Sequence, residues 1–382
     1  MNKIAELISR LCPDGVEFKT LDSLVSYVQP GPYIVSSTEY DTHYSTPVLT
    51  AGQSFILGYT NEEEGIYNAS SQKPVIIFDD FTTSFHWVDF DFKVKSSALK
   101  IFKIKDKQEA DFRYIYMAMK TIHFIPTNHM RHWISLYSKF EIPLPPLNIQ
   151  KEIVSILDSF TSLIGKMKQE VEMRKKQMEY YREKLMAPQT NWKIKTLGEI
   201  GTFTRGNGLQ KSDFRVKGFP CVHYGQIHTY YNTCIYKTKS FCEEDLAKKL
   251  QKASYGDLLI ATTSEDVKAC CKAAVWFGAG DVAYSGDSFC YSHDQDPKYM
   301  AYLFQTEMFA KQKQKAATGA KVIRVSGESM ASFSFAFPPL VQQRQIASIL
   351  VTFETYISKL EKMIELRQKQ YEYYREKLLT FE

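Results

Sequence analysis

Residues 145–185 align without a gap on residues 338–378, at an offset of 193, with 22 identities in 41 positions. Both copies open on Pro-Pro-Leu and close on Glu-Tyr-Tyr-Arg-Glu-Lys-Leu, at Glu179–Leu185 and Glu372–Leu378. A shorter match pairs Lys19-Thr20-Leu21 with Lys195-Thr196-Leu197. Between these anchors the two halves are unlike each other. Such a chain is a duplication whose halves diverged unequally, so it must fold as two variable domains on a repeated frame. A length of 382 residues agrees, since one core rarely holds so much chain. The boundaries read as variable domain 1–144, helical segment 145–187, variable domain 188–337 and helical segment 338–382.

The repeated segment carries a heptad pattern. Ile153, Leu157, Phe160, Ile164, Met167, Val171, Arg174, Met178, Tyr181 and Leu185 keep an unbroken 4-3 spacing. The second copy repeats it with Ile346, Leu350, Phe353, Ile357, Leu360, Ile364, Arg367, Tyr371, Tyr374 and Leu378. This is the seam of a coiled coil, expected as a helix of about 50 Å at 1.5 Å per residue. Pro188 stops the first copy. One such helix cannot bury its stripe alone, and the obvious partner is the other copy. The chain between Leu185 and Trp192 is too short to carry the second domain back along a parallel partner. An antiparallel pair with pseudo-twofold symmetry is therefore expected, with one variable domain at each end.

Within the variable domains, Val75-Ile76-Ile77-Phe78 and Leu258-Leu259-Ile260-Ala261 read as short buried strands. Each leads to a polar tip, Asp79 to Ser84 in one and Thr262 to Glu265 in the other. Val88, Phe90, Phe92 and Val94 alternate as one half-buried strand would. Helical stretches are expected near Phe112–Lys120 and Pro297–Lys313. The fold class is thus α/β, or α+β, for both domains.

The formal net charge of +5 is local. It is accounted for by the two helical segments Lys166–Lys184 and Lys359–Lys377, which leaves the remainder neutral. A globally basic nucleic-acid binder is excluded, and any binding surface must be confined. Each half has a stretch without acidic residues just before its Pro-Pro-Leu. The first holds Arg113, Lys120, Arg131 and Lys139 with His123, His129 and His132; the second holds Lys311, Lys313, Lys315, Lys321 and Arg324. Arg131 and Arg324 are equivalent under the offset. A solvated helix face followed by a loop would look similar, but two copies in register favour contact with nucleic-acid phosphates.

Base readers follow from donor and acceptor geometry. Gln226, in His223-Tyr224-Gly225-Gln226, can pair with adenine, and Arg205 or Arg324 with guanine. Thr82, Thr83, Thr262 and Thr263, on the polar tips, can contact either edge, and Lys211 is grouped with these candidates. Trp87, Tyr224 and Tyr230 are further candidates to line a binding face.

Catalytic patterns are weak. Both Pro-Pro pairs continue into Leu, so no Asn/Asp-Pro-Pro-aromatic tetrapeptide occurs. No Walker A motif occurs, and the Gly-rich spots lack a cofactor loop's context. Seven cysteines form no CxxC pair, and no histidine clusters with them, so no metal site is expected. The nearest approach to a nuclease site is Asp80 with Asp91-Phe92-Lys93, an acid followed by acid-x-Lys. No run of about 18 apolar residues and no signal peptide are present, so a cytoplasmic protein without membrane contact is expected.

The doubled Pro-Pro-Leu…Tyr-Tyr-Arg-Glu-Lys-Leu segments resemble the central and C-terminal spacers of the specificity subunit of type I restriction-modification systems. Cys12-Pro13-Asp14-Gly15-Val16-Glu17-Phe18 and the Lys-Thr-Leu anchors are similar to that family's sequence at the start of target-recognition domains. The resemblance covers nearly the whole chain. It implies that 1–144 and 188–337 are target-recognition domains, each reading half of a split double-stranded DNA target, with the helix pair fixing the gap. It implies two methyltransferase subunits carrying S-adenosylmethionine for adenine methylation, a motor-nuclease subunit for cleavage, and no catalysis or cofactor in this chain.

Overall fold

The computed structural model describes residues 2–52, 54–126 and 130–381, with side chains from Glu6 onward. The chain divides into two compact units, Met1–Lys168 with Met363–Glu382, and Gln169–Lys362. Each unit therefore holds one variable domain, the beginning of one long helix and the end of the other. The long helices are Leu147–Met186 and Leu340–Leu379, of 40 residues each.

In the first unit a four-stranded antiparallel sheet has the order Val25–Val28, Leu99–Ile104, Val75–Asp79, Phe85–Val88. A three-stranded sheet of Ile56–Thr60, Thr46–Leu49 and Lys93–Val94 lies beside it in sequence. Val75, Ile76, Ile77 and Phe78 are all fully covered, as a strand packed on both faces must be. Val88, Phe90, Phe92 and Val94 do not form one strand. The chain turns at Asp89–Asp91 and passes from the first sheet to the second, while the four apolar side chains stay in one core. Their alternation reflects a shared core across a bend rather than one continuous strand.

The second unit repeats the plan with more strands. Its five-stranded sheet has the order Gly201–Arg205, Ser288–His293, Leu258–Ala261, Lys272–Trp276, Cys234–Ile235. A four-stranded sheet follows the order Ser240–Cys242, Phe219–Val222, Val282–Tyr284, Lys252–Ala253. The stretch Pro297–Lys313 is two helices, Pro297–Leu303 and Glu307–Ala316. Thr306 separates them: its hydroxyl accepts the Phe309 N–H and caps the second helix, which outcompetes continuation of the first.

The short sequence anchors mark where each unit closes. Phe18–Thr20 pairs with Glu141–Pro143, and Lys193–Thr196 pairs with Ser334–Phe337, both antiparallel. The leucine after each Thr is fully buried, and its N–H donates to a repeat-equivalent carbonyl: Leu21 to Phe140 at 3.0 Å, Leu197 to Phe333 at 2.9 Å. The first and last strands of each domain are thereby tied together immediately before the Pro-Pro pair and the long helix.

The helix seam forms inside each unit. In the first, Phe160 stacks on Tyr374 with ring centroids 5.5 Å apart. In the second, Tyr181 stacks on Phe353 at 5.6 Å. The offset of 193 converts one pair into the other, with start and end exchanged. Within the second unit Lys175 meets Glu361 at 2.9 Å, so rising numbers on one helix face falling numbers on the other. The helices run antiparallel. Ile153, Leu157, Ile164, Val171, Ile346, Leu350, Ile357, Leu360, Tyr371 and Leu378 are buried. Met167, Met178, Leu185 and Ile364 are half-buried, as are the four stacking rings.

Candidate nucleic-acid interface

The tip after Val75–Asp79 is a turn fixed by its own carboxylate. Asp79 Oδ1 accepts the N–H groups of Phe81 and Thr82 at 2.9 and 2.8 Å. Asp80, 1% exposed, accepts the Trp133 N–H at 2.8 Å and pairs with the equally buried Lys100 at 3.1 Å. Its backbone carbonyl accepts the His132 N–H at 2.8 Å. Arg131 is thereby held at the tip, exposed, with its guanidinium 6.0 Å from the Phe81 ring centre. Thr82 is exposed beside it.

The equivalent tip of the second unit carries Arg324. Thr263–Ser264 pairs with Ile323–Arg324, and Arg324 also exchanges both backbone hydrogen bonds with Thr318. Gly319 makes this turn possible: its φ is +104°, and a Cβ there would lie 2.1 Å from the Val322 carbonyl oxygen. Lys321 is exposed on the same turn. The two arginines predicted as equivalent thus both lie at the end of their unit's central strand.

A polar groove of about 450 Å³ borders the second tip. Arg205, Gln210, His223, Tyr224 and Asp287 line it. Arg205 Nε donates to the Gly286 carbonyl at 3.1 Å, which directs an exposed guanidinium over the groove. The Asp287 carbonyl accepts the Thr262 N–H at 3.2 Å, joining groove and tip. Burial, then the neighbouring Lys211 ammonium, lowers the pKa of His223 and favours its neutral form.

Several expected contacts are turned inward. Thr83, His132, His223, Thr262 and Thr263 are buried. Thr83 bonds back to the Thr82 carbonyl, Thr262 to that of Asp287, and His223 caps a helix by accepting the Gly225 N–H. Gln226 has both ends of its amide engaged, by the His223 N–H at 3.0 Å and the Ser240 hydroxyl at 2.7 Å, so it is not poised for adenine. Lys313 is also inside, donating to the carbonyls of Lys268 and Cys270. Arg113 pairs with Asp158 at 2.8 Å and covers the Trp87 ring. Tyr224 lines the groove, and Tyr230 is exposed beneath Lys239. His129 lies outside the described residues. Among the candidates at the two tips and around the groove, the exposed ones are Thr82 and Arg131 in one unit, and Arg205, Lys211, Lys321 and Arg324 in the other.

The nuclease arrangement does not assemble. Asp80 is neutralised by Lys100, Lys93 is buried against Glu62 at 2.9 Å, and Asp91 accepts from Asn68 at the surface. Among the described residues no group of three or more His, Cys, Asp or Glu is placed to hold a metal. Lys100 and Asp287 were missed by sequence reasoning. Their roles depend on which strands pair, and no local pattern carries that information.

The sequence signature of the type I restriction modification DNA specificity domain matches residues 13–173 and again 189–368. The chain belongs to that family. As a type I specificity subunit it is 35% identical to the EcoR124I/EcoR124II specificity subunit of Escherichia coli, over 96% of this chain and 95% of that one. It is 27% identical to a putative type I specificity subunit of Haemophilus influenzae, over 96% of each. Its fold is similar to the crystal structure of the type I system S subunit of M. genitalium, with a TM-score of 0.60 at 16% identity and 96% of each chain covered. No helix among the described residues of this specificity subunit is long and apolar enough to cross a membrane.

Proposed function

We propose that this specificity subunit is a non-catalytic reader in which each unit recognises one half of a bipartite, asymmetric double-stranded DNA target. The helix pair sets the gap between the halves, and partner subunits carry out adenine methylation and restriction. One observation carries the reading. Repeat-equivalent Arg131 and Arg324 both lie at strand-end tips, but they are held differently: Arg131 beside Phe81 by the backbone bond from His132 to Asp80, Arg324 by pairing with Thr263 and Thr318. A common frame with unlike tips suits two unlike half-sites.

The partners suited to this frame are two copies of a methyltransferase subunit, which would carry the S-adenosylmethionine, and a motor-nuclease subunit. The outer faces of the long helices favour such docking. Met173 and its repeat counterpart Leu366 are 61% and 57% exposed, and Tyr180 and Tyr373 are both 58% exposed. Apolar side chains repeated along a solvent-facing stripe mark a place for another protein.

Removing one heptad from both helices tests the ruler role. Seven residues are about 10 Å of helix, so the gap should shorten by about three base pairs. An unchanged gap would contradict it.

A further inference from the structure

The central strand of each unit has two ends. Val75–Asp79 leads to Thr82, and Leu258–Ala261 leads to Thr262 and Thr263. At the opposite end of each strand lies another pocket, built against the first turns of a long helix. In the first unit it is about 540 Å³ and includes Val75, Leu147 and Lys151; in the second it is about 370 Å³ and includes Tyr255, Arg344 and Ala347.

The two pockets share one layout. Asp111 and Asp296 cap the neighbouring short helices, and the side chain two residues on lies over an aromatic ring in each case. Arg113 is 4.8 Å from the Trp87 ring centre, and Lys298 is 5.6 Å from that of Phe277. Lys151 and Arg344 occupy the same position of the repeat. The capping carboxylates, which accept backbone N–H groups, are the acids lining these pockets. Lys73, Lys103 and Lys107 add to the rim of the first. Among the described residues no carboxylate pairs with Lys73, Lys107, Lys151 or Arg344.

Arg113 has its counter-charge in Asp158, but among the described residues the other cations gathered here have no paired carboxylate; they repel one another, and an anionic ligand relieves that repulsion. Three features select the ligand. The first pocket is about 16 Å, five residues of strand, from the tip that carries Arg131, so it does not adjoin the proposed DNA-reading residues. In the first pocket the Trp87 ring is covered by Arg113 and packed by Phe112 and Tyr116, which disfavours stacking of a nucleobase on it. The layout is rooted in the repeated frame rather than the diverged tips, so its ligand arrives in two like copies.

We propose that these paired cationic pockets receive an acidic segment from each of the two methyltransferase subunits. This rests on the partner reading above and adds where, and by what chemistry, those subunits are gripped.

The test uses the full chain co-expressed with the methyltransferase subunit of its own restriction-modification system, with native mass spectrometry at graded salt. Lys107→Glu with Lys151→Glu should weaken one methyltransferase copy about tenfold or more, and Lys298→Glu with Arg344→Glu the other. Each double variant should yield complexes with one copy, and their combination should yield none. The corresponding Lys→Gln and Arg→Gln variants should give the same order with a smaller loss, and Arg344→Lys should behave as wild type. Retention of two copies with wild-type salt dependence in all variants would overturn the proposal. So would intact assembly with lost DNA binding, which would assign the pockets to the DNA backbone. Failure of the wild-type chain to bind any methyltransferase subunit would instead remove the partner reading, and this occupant with it.

Discussion

Gln150 accepts a hydrogen bond from the Asp111 backbone N–H at 2.8 Å, and 193 residues later Gln343 accepts the same bond from Asp296 at 3.0 Å. Each amide also donates to a proline carbonyl, Pro145 at 2.7 Å and Pro338 at 2.8 Å. Both glutamines are essentially inaccessible. One side chain thus fastens the start of a long helix to the domain that precedes it, twice in the chain.

Replacing Gln150 with Leu should leave a backbone N–H and a carbonyl buried without partners. The expected loss is about 1–3 kcal/mol for each orphaned group. Hydrogen exchange at the Asp111 amide should accelerate accordingly in the first unit, and Gln343→Leu should do the same at Asp296.

Asp80 and Lys100 form an ion pair in which both side chains are 2% exposed. Asp80→Asn leaves a buried ammonium without its charge partner, so it should destabilise the first unit by about 3–5 kcal/mol. Denaturant titration followed by Trp fluorescence reads this loss. Replacing both residues by apolar ones of similar volume should cost less than the single change.

Glu62 accepts the N–H groups of Ser36 and Ser37 at 2.8 and 2.9 Å and pairs with Lys93. The Ser37 bond first, then the Lys93 ammonium and the Ser36 bond, hold its pKa below the ordinary carboxylate value. A depressed folded pKa gives stability that is present above the unfolded value and lost as pH falls through the folded one. Melting of wild type and Glu62→Gln should therefore differ at neutral pH and converge in acid.

Arg324→Ala should weaken DNA binding or relax one half-site by about 1–3 kcal/mol, and Arg131→Ala should do so for the other half-site. Competition binding with half-site variants at several salt concentrations separates the two effects. A uniform loss with a reduced salt slope would assign either arginine to phosphate contact alone.

The frame was legible in the sequence because repetition and heptad spacing are local patterns. The buried central strands were legible for the same reason: four successive apolar residues need cover on both faces. The chain's bend at Asp89–Asp91 was not, since alternation survives when two sheets share one core. Nor was the burial of Thr83, Thr262 and Thr263, because a polar tip reads as exposed until its packing is known, including the carbonyls that accept the Thr83 and Thr262 hydroxyls. Gln226 shows the limit most clearly. Its amide suits adenine by type, yet a helix cap and Ser240 already occupy it.

The most direct measurement of the central claim is a map of methylated adenines in DNA modified by the complex that contains this chain. Two unlike half-sites at one fixed separation, each altered only by substitutions in its own unit, are the expected result. A continuous or perfectly palindromic target would contradict the account.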